Sequence, residues 1–212
     1  MNTLTNPRAL AERTLPRPAR GMRPPPRRGK RSPHPHAGKP SEALTARDGS
    51  ALVLRQIRPD DVAALKRFFE RLTPEEVRMR FLHPLNELPD AFARQLCELD
   101  PALAFAWVLA APDDPLRPEL SVEIHAVARA HFDPVLDHAE FAIVIEGRFA
   151  RQGFGSLLMQ RVFASARKLG AVELWSDVLL ENGAMLGLCT RLGFGRGMSP
   201  NNPGVVRVSR AL

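Results

Sequence analysis

The chain has 212 residues and a formal net charge of +7, with 44% hydrophobic and 25% charged residues, as in globular proteins. Cys97 and Cys189 lie too far apart for a metal spacing or a disulfide framework, and the six histidines form no HxxxH or HExxH pattern, so no metal is expected. The longest apolar run, Ala102–Ala111, is far shorter than the ~20 residues of a membrane helix, and the N-terminus lacks the apolar segment of a secretory signal; a soluble, cytoplasmic setting is expected, with no membrane span.

Charge is unevenly spread. Residues 1–40 hold ten Lys or Arg against one acid, Glu12, and nine of the twenty prolines. They carry +9, which leaves −2 for the remainder. The segment Arg23-Pro-Pro-Pro-Arg-Arg-Gly-Lys-Arg cannot bury apolar surface and favours extended polyproline geometry. Residues 1–44 are therefore expected to be a disordered tail ahead of a domain at 45–212. Two readings of the tail stand. It is either a tether making weak contact with nucleic acid or another anionic partner, or a solvated leader with no specific role. No aromatic residue interleaves its charges, so it offers no platform for base stacking.

From Thr45 the composition becomes globular. After an Asp48-Gly49 turn, Ala51 to Arg58 alternates as a strand does. Pro59-Asp60-Asp61 caps a helix to about Leu72, with Val62, Leu65, Phe68 and Phe69 on one face. A second helix starts at Thr73 (N-cap), Pro74 (N1) and Glu76 (N3), which is a capping-box pattern. A third spans Pro89 to Leu99. Strands are expected at Ala104–Leu109, Leu120–Arg129 and Glu140–Ile145, with a turn-rich stretch at His131–Asp137. A turn at Gly147–Gly155 leads into a helix from Gly153 to Leu169, stopped by Gly170. Val172–Leu179 reads as a strand, Asn182–Leu192 as a helix stopped by Gly193, and Gly204–Val208 as a closing strand. Phe68, Phe69, Phe81 and Leu82 suit either the core or the wall of a substrate groove. The order gives an α+β or mixed α/β fold with helices on both faces of one sheet.

The chemistry concentrates in Ala139-Glu-Phe-Ala-Ile-Val-Ile-Glu-Gly-Arg-Phe-Ala-Arg-Gln-Gly-Phe-Gly-Ser. A strand ends in a loop with Gly153 and Gly155, and a helix starts at once. Glycines let backbone approach an anion, and the first amides of a helix lack intrahelical partners. With the helix dipole this geometry suits a pyrophosphate, and Arg151 adds a full charge. The pattern is neither a P-loop, which needs Gly-Lys-Ser/Thr, nor a three-glycine dinucleotide fingerprint. Glu140, Ala142 and Val144 share one strand face. Glu140 is a general base, a solvated edge carboxylate or an ion-pair partner. Asn182 suits an N-cap as well as a ligand contact. His125 is a second candidate base or a half-exposed strand histidine that pairs with Glu123 on the same face. Glu146 is expected to face solvent.

Read with Glu181-Asn-Gly-Ala-Met-Leu-Gly-Leu-Cys-Thr-Arg-Leu-Gly-Phe, the segment resembles the GNAT superfamily of acetyl-CoA-dependent N-acetyltransferases over residues 45–195. There a strand leads to a (Gln/Arg)-x-x-Gly-x-(Gly/Ala) loop that holds the pyrophosphate of coenzyme A, and a later helix carries an Asn and ends in Gly-Phe. The words Arg47-Asp-Gly, Ile57-Arg-Pro-Asp-Asp, Arg71-Leu-Thr-Pro-Glu-Glu-Val, Arg80-Phe-Leu-His-Pro-Leu and Ala139-Glu-Phe-Ala are similar to the bacterial Pat-type protein-lysine acetyltransferases. The resemblance implies a central, mostly antiparallel twisted sheet of six to seven strands. It implies Glu140 as the base, and acetyl-CoA held by Ile143, Val144, Ile145, Arg151, Gln152, Gly153, Phe154, Gly155, Ser156 and Asn182. The implied acceptor is a protein lysine, such as one on an acyl-CoA synthetase; a small amine acceptor, or a non-catalytic coenzyme A sensor with a nucleic-acid-binding tail, are the other readings. Two positions depart from the family. Ala150 stands where Gln or Arg is usual, with Arg151 or Gln152 placed to compensate. Cys189 stands where many members carry an acidic tyrosine, and reads as a small core residue rather than a catalytic thiol.

Overall fold

The computed structural model describes residues 41–112, 122–199 and 202–212; residues 1–40 of the expected tail and Leu120–Ser121 of an expected strand lie outside them. Eight strands form one sheet in the order β1-β2-β3-β4-β5-β6-β8-β7. They are β1 Glu42–Thr45, β2 Ala51–Gln56, β3 Ala104–Ala110, β4 Ile124–Asp133, β5 His138–Ile145, β6 Glu173–Leu179, β7 Gly195–Met198 and β8 Val205–Ala211. The helices are α1 Val62–Arg71, α2 Pro74–Phe81, α3 Asp90–Cys97, α4 Phe154–Lys168 and α5 Gly183–Arg191. All neighbouring strands are antiparallel except β5 and β6, which the α4 crossover joins in parallel. The fold is mixed α/β, as its element order implies.

Each face of the sheet has its own core, and β3 shows how one strand serves both. Phe105, Trp107 and Leu109 pack with Leu158, Met159, Val162 and Phe163 of α4, whereas Ala106, Val108 and Ala110 pack with Phe68, Phe69, Phe81 and Phe92 of α1–α3. Cover on both faces explains why β3 and β4 read as near-continuous apolar runs. Phe68, Phe69 and Phe81 are thus core residues, and Leu82 is the left-handed C-cap of α2.

The structure moves several expected boundaries. The sheet has eight strands rather than six to seven, because β1 and β7 join its edges. Both are four residues long, and β7 (Gly-Arg-Gly-Met) contains two glycines, so neither has a strand-like composition. The tail boundary at residue 44 falls inside β1. β4 runs on through His131–Asp133, where a turn was expected, because Asp133 and His138 pair before the chain reverses. β8 runs to Ala211, past the expected end at Val208.

Helix entry also differs. Thr73 and Glu76 form the expected capping box, with Glu76 N–H donating to Thr73 Oγ1 at 3.1 Å and Thr73 N–H to Glu76 Oε2 at 2.8 Å. Pro59-Asp60-Asp61, expected to cap α1, forms a 3-10 turn ahead of it, and Asp61 makes no side-chain cap bond to α1 itself. Its carboxylate accepts from Arg58 N–H at 2.7 Å, which closes that turn, and takes two further hydrogen bonds from Arg55 of β2, at 2.7 and 2.8 Å. Both side chains of this pair are almost wholly buried. It fixes the start of α1 on the sheet. Removing one partner of such a pair strands the other charge in the core, so Asp61→Ala is expected to lower the unfolding free energy by about 3–5 kcal/mol in urea melts.

Candidate functional site

β5 and β6 pair only as far as Glu140 and Trp175. Beyond that point β5 follows β4 to the Ile145–Ala126 pair, while β6 follows β8 to the Leu179–Val205 pair. The wedge between them opens into a cleft of about 500 Å³. Ile143, Val144 and Ile145 line one side, and Asn182, Gly183, Met185 and Leu188 of the α5 end line another. The loop before α4 supplies Ala150, Arg151 and Gly153, and α4 itself Gly155 and Ser156.

The loop makes two left-handed steps, Arg151 at φ 57° and Gly153 at φ 92°. Only glycine adopts the second cheaply. The first intrahelical bond runs from Leu157 N–H to Gly153 C=O at 3.1 Å, so the amides of residues 154–156 precede it and point out of the helix end. A Cβ on Gly155 would stand 3.3 Å from Leu188 and 3.5 Å from Ile145. That glycine lets α4, α5 and β5 close on one another at the cleft.

Gln152 and Phe154 do not line the cleft. Gln152 Oε1 accepts from Arg47 N–H at 2.9 Å, and its Nε2 donates to Arg148 C=O at 2.8 Å. It clips the β1–β2 turn to the loop and is not free to replace the residue missing at Ala150. The Phe154 ring is in the core. Asn182 Oδ1 accepts from Met185 N–H at 3.0 Å, so Asn182 both caps α5 and lines the cleft.

Glu140 is 4% exposed and does not line the cleft. It shares its strand face with Ala142 and Val144, the side on which Val144 meets α1–α3. Arg80 of α2 is buried on that side. Burial pushes its guanidinium down to about 9, and Arg129 adds to the push, while the Glu140 carboxylate opposes both. Burial likewise pushes Arg129 down to about 10; its Nη2 donates to Leu96 C=O at 2.9 Å. Next along β6, Asp177 takes two bonds from Arg207 of β8, at 2.9 and 2.8 Å. Glu75, Glu76, Met79 and Arg80 form the α2 wall of the cleft, and Arg78 pairs with Glu181 beside it. Sequence reasoning singled out none of these as site residues. The 76–79–80 spacing on a capped helix is the signal that one face of α2 looks one way.

His125 and Glu146 depart from expectation. His125 is buried, lies 4.5 Å from the Phe149 ring, and places Nδ1 3.0 Å from Glu146 Oε2 rather than pairing with Glu123. Burial pushes the imidazole down, against the pull of Glu146. Glu146 is not solvent-facing: it also takes a bond from Arg148 at 2.8 Å. Glu123 is held instead by Arg67 at 3.1 Å and Arg71 at 2.5 Å. Among the described residues no group of three or more His, Cys, Asp or Glu could hold a metal, and no helix is long and apolar enough to cross a membrane.

The model of the acetyltransferase (GNAT) domain family matches residues 51–195. The chain is 27% identical over 147 residues to an acetyltransferase of Pseudomonas aeruginosa, which covers 69% of this chain and 76% of that protein. Over 80 residues it is 32% identical to the ribosomal protein bS18 alanine N-acetyltransferase of Salmonella typhimurium, covering 37% of this chain and 54% of that one. Among solved structures, the GNAT domain of S. lividans PAT superimposes with a TM-score of 0.69 at 23% identity, over 81% of this chain and 97% of that one, which shows a shared fold.

The two cysteines carry no reactive thiolate. Burial pushes the Cys97 thiol up to about 12 and the Cys189 thiol up to about 11. Both are buried, and Cys189 packs in the α4–α5 core. Native protein at pH 8 is therefore expected to leave a disulfide thiol reagent unreacted, with both thiols titrating only in denaturant; a fast native thiol would contradict this.

Proposed function

The chain belongs to the GNAT acetyltransferase family, and from that premise we propose that it acetylates lysine side chains of proteins with acetyl-CoA. The observation that carries the site is the parting of β5 from β6 beside the open N-terminus of α4. The residues fit such a ligand. The amides of residues 154–156, the α4 dipole and Arg151 suit a pyrophosphate, and the unpaired edge of β5 suits an extended chain of amides. Two things support a protein acceptor. The words around Arg71, Arg80 and Glu140 are similar to Pat-type enzymes, and one relative is by name a transferase to an alanine of a ribosomal protein.

Acetyl-CoA supplies an activated thioester; the chain's own residues orient it and take the proton. Lysine has a pKa of about 10.4, so at neutral pH almost none is nucleophilic without a base. Glu140 takes that proton, directly or through one water. Arg80 keeps a positive charge near this carboxylate throughout. The acetyl oxygen is assigned to the amides of Ile143 and Ile145, which alternate with those of Ala142, Val144 and Glu146 that turn to β4. Transfer is direct. Cys189, a buried thiol, is not an acyl carrier.

Labelled acetyl-CoA added to a deacetylated lysate is expected to label precipitable protein, and Glu140→Gln is expected to cut that rate about a hundredfold or more. A pellet with no label above the enzyme-free control would overturn the protein reading and turn attention to soluble amines. Gln152→Ala releases both backbone groups that hold the loop. It is expected to raise KM for acetyl-CoA by about tenfold, or ~1.4 kcal/mol, with little change in kcat.

A further inference from the structure

The face of the sheet that bears Glu140 is covered by α1–α3 over β2 to β5. The part made by β6, β8 and β7 carries polar residues instead. Trp175 stands opposite Glu140 in the last β5–β6 pair, and Asp177 follows on the same face. Arg207 of β8 lies opposite Asp177 and grips it with both arms of its guanidinium. The same guanidinium sits 4.1 Å from the centre of the Trp175 ring.

An aromatic face with two carboxylates beside it is a site for an alkylammonium ion. Here a cation of the chain itself fills it. Three observations mark that cation as movable and the position as a passage. First, Glu140 is 4% exposed, so no acceptor amine touches it until something moves. Second, the Arg207 side chain is 37% exposed whereas Asp177 is 11% exposed, so of the two partners the arginine is the one open to solvent. Third, its neighbour on the outer side is Gly197 of β7, where open space stands in place of a side chain. Asp177 also lines a small cavity with Ala142 and Ile143 inside the wedge, and Ile143, Asn182 and Met185 form a wall common to that cavity and the cleft.

We propose that Arg207 is the gate of the acceptor site: its guanidinium holds the place on Trp175, beside Asp177, that the acceptor lysine takes, and swings toward β7 to admit it. The inference rests on the lysine reading above. The exchange replaces one cation by another, so the charge beside Asp177 is conserved. It selects for an acceptor that arrives as an alkylammonium and stacks its methylene chain on Trp175. Neutral arylamines cannot displace Arg207 and are excluded. The gate acts on acceptor entry, and Arg207 is not a catalytic residue.

The competing role is a cross-strand ion pair that only stabilises the sheet. Acetylation of a lysine peptide by the full chain separates the two. Arg207→Ala is expected to lower KM for the peptide at least threefold while KM for acetyl-CoA holds. Trp175→Leu removes the platform from both cations and is expected to raise the peptide KM. A peptide KM that is unchanged or higher in Arg207→Ala, with the melting temperature retained, overturns the gate. If the wild type acetylates no lysine peptide, the lysine reading fails on its own. The gate is then judged by titrating n-butylamine against the Trp175 indole N–H resonance. Half-saturation at lower amine in Arg207→Ala supports it, and equal titrations overturn it.

Discussion

Beyond Glu140 and Trp175, β5 and β6 share no further pairs, and a strand that loses its partner inside a protein leaves amides and carbonyls in need of one. The parting is enforced from outside the wedge. β4 holds β5 through eight register pairs, and β8 holds β6 through seven. Each inner strand is therefore bound to its outer neighbour, and sheet twist carries the two pairs apart. The cleft is the consequence, and α4 closes one end of it because Gly155 lets helix and strand meet without a side chain between them.

The two sides of the parting differ in charge. The α4 side gathers the positive end of a helix, Arg151 and backbone donors, which suit an anionic ligand. The sheet face behind it gathers Glu140 and Asp177, which suit a cation. Each carboxylate there has an arginine close by, Arg80 or Arg207. In the proposed reaction that balance matters. A pocket of bare carboxylates would hold the acceptor as an ammonium ion, which cannot attack. Beside Glu140 the negative charge is already answered by Arg80, which the movement of Arg207 leaves in place, so the ammonium is bound there weakly enough to let the proton leave.

What the sequence disclosed was local. The capping box at Thr73 and Glu76, the glycine positions at 153 and 155, and the alternation of Glu140 with Ala142 are all short-range patterns with one physical reading each. The resemblance carried the mostly antiparallel sheet, while the parallel β5–β6 pair and the two short edge strands came from the structure. What stayed hidden was assembled across the chain. Asp61 looks like a cap until Arg55, a strand away, is seen to claim it. Glu123 and His125 share a strand face in sequence, but α1 brings Arg67 and Arg71 to the first, and the end of β5 brings Glu146 to the second. Gln152 reads as a ligand because it sits in a phosphate-type loop. Nothing local shows that the β1–β2 turn comes within 2.9 Å of it.

Cys189 brings the local and the global together. It falls where many relatives of this fold carry a tyrosine, and α5 turns it away from the cleft: Met185 and Leu188 line the wall, while Cys189 packs with Phe163, Phe194 and Leu158 in the core. A thiol pushed up to about 11 in that setting gives up a proton too reluctantly to serve a leaving group. In the proposed transfer it has no need to. Coenzyme A leaves as a thiolate whose conjugate acid has a pKa of roughly 8.5, so solvent at the open mouth of the cleft can complete the step. In that proposal the demanding proton is the one on lysine, and the buried Glu140 carboxylate serves it rather than the thiol.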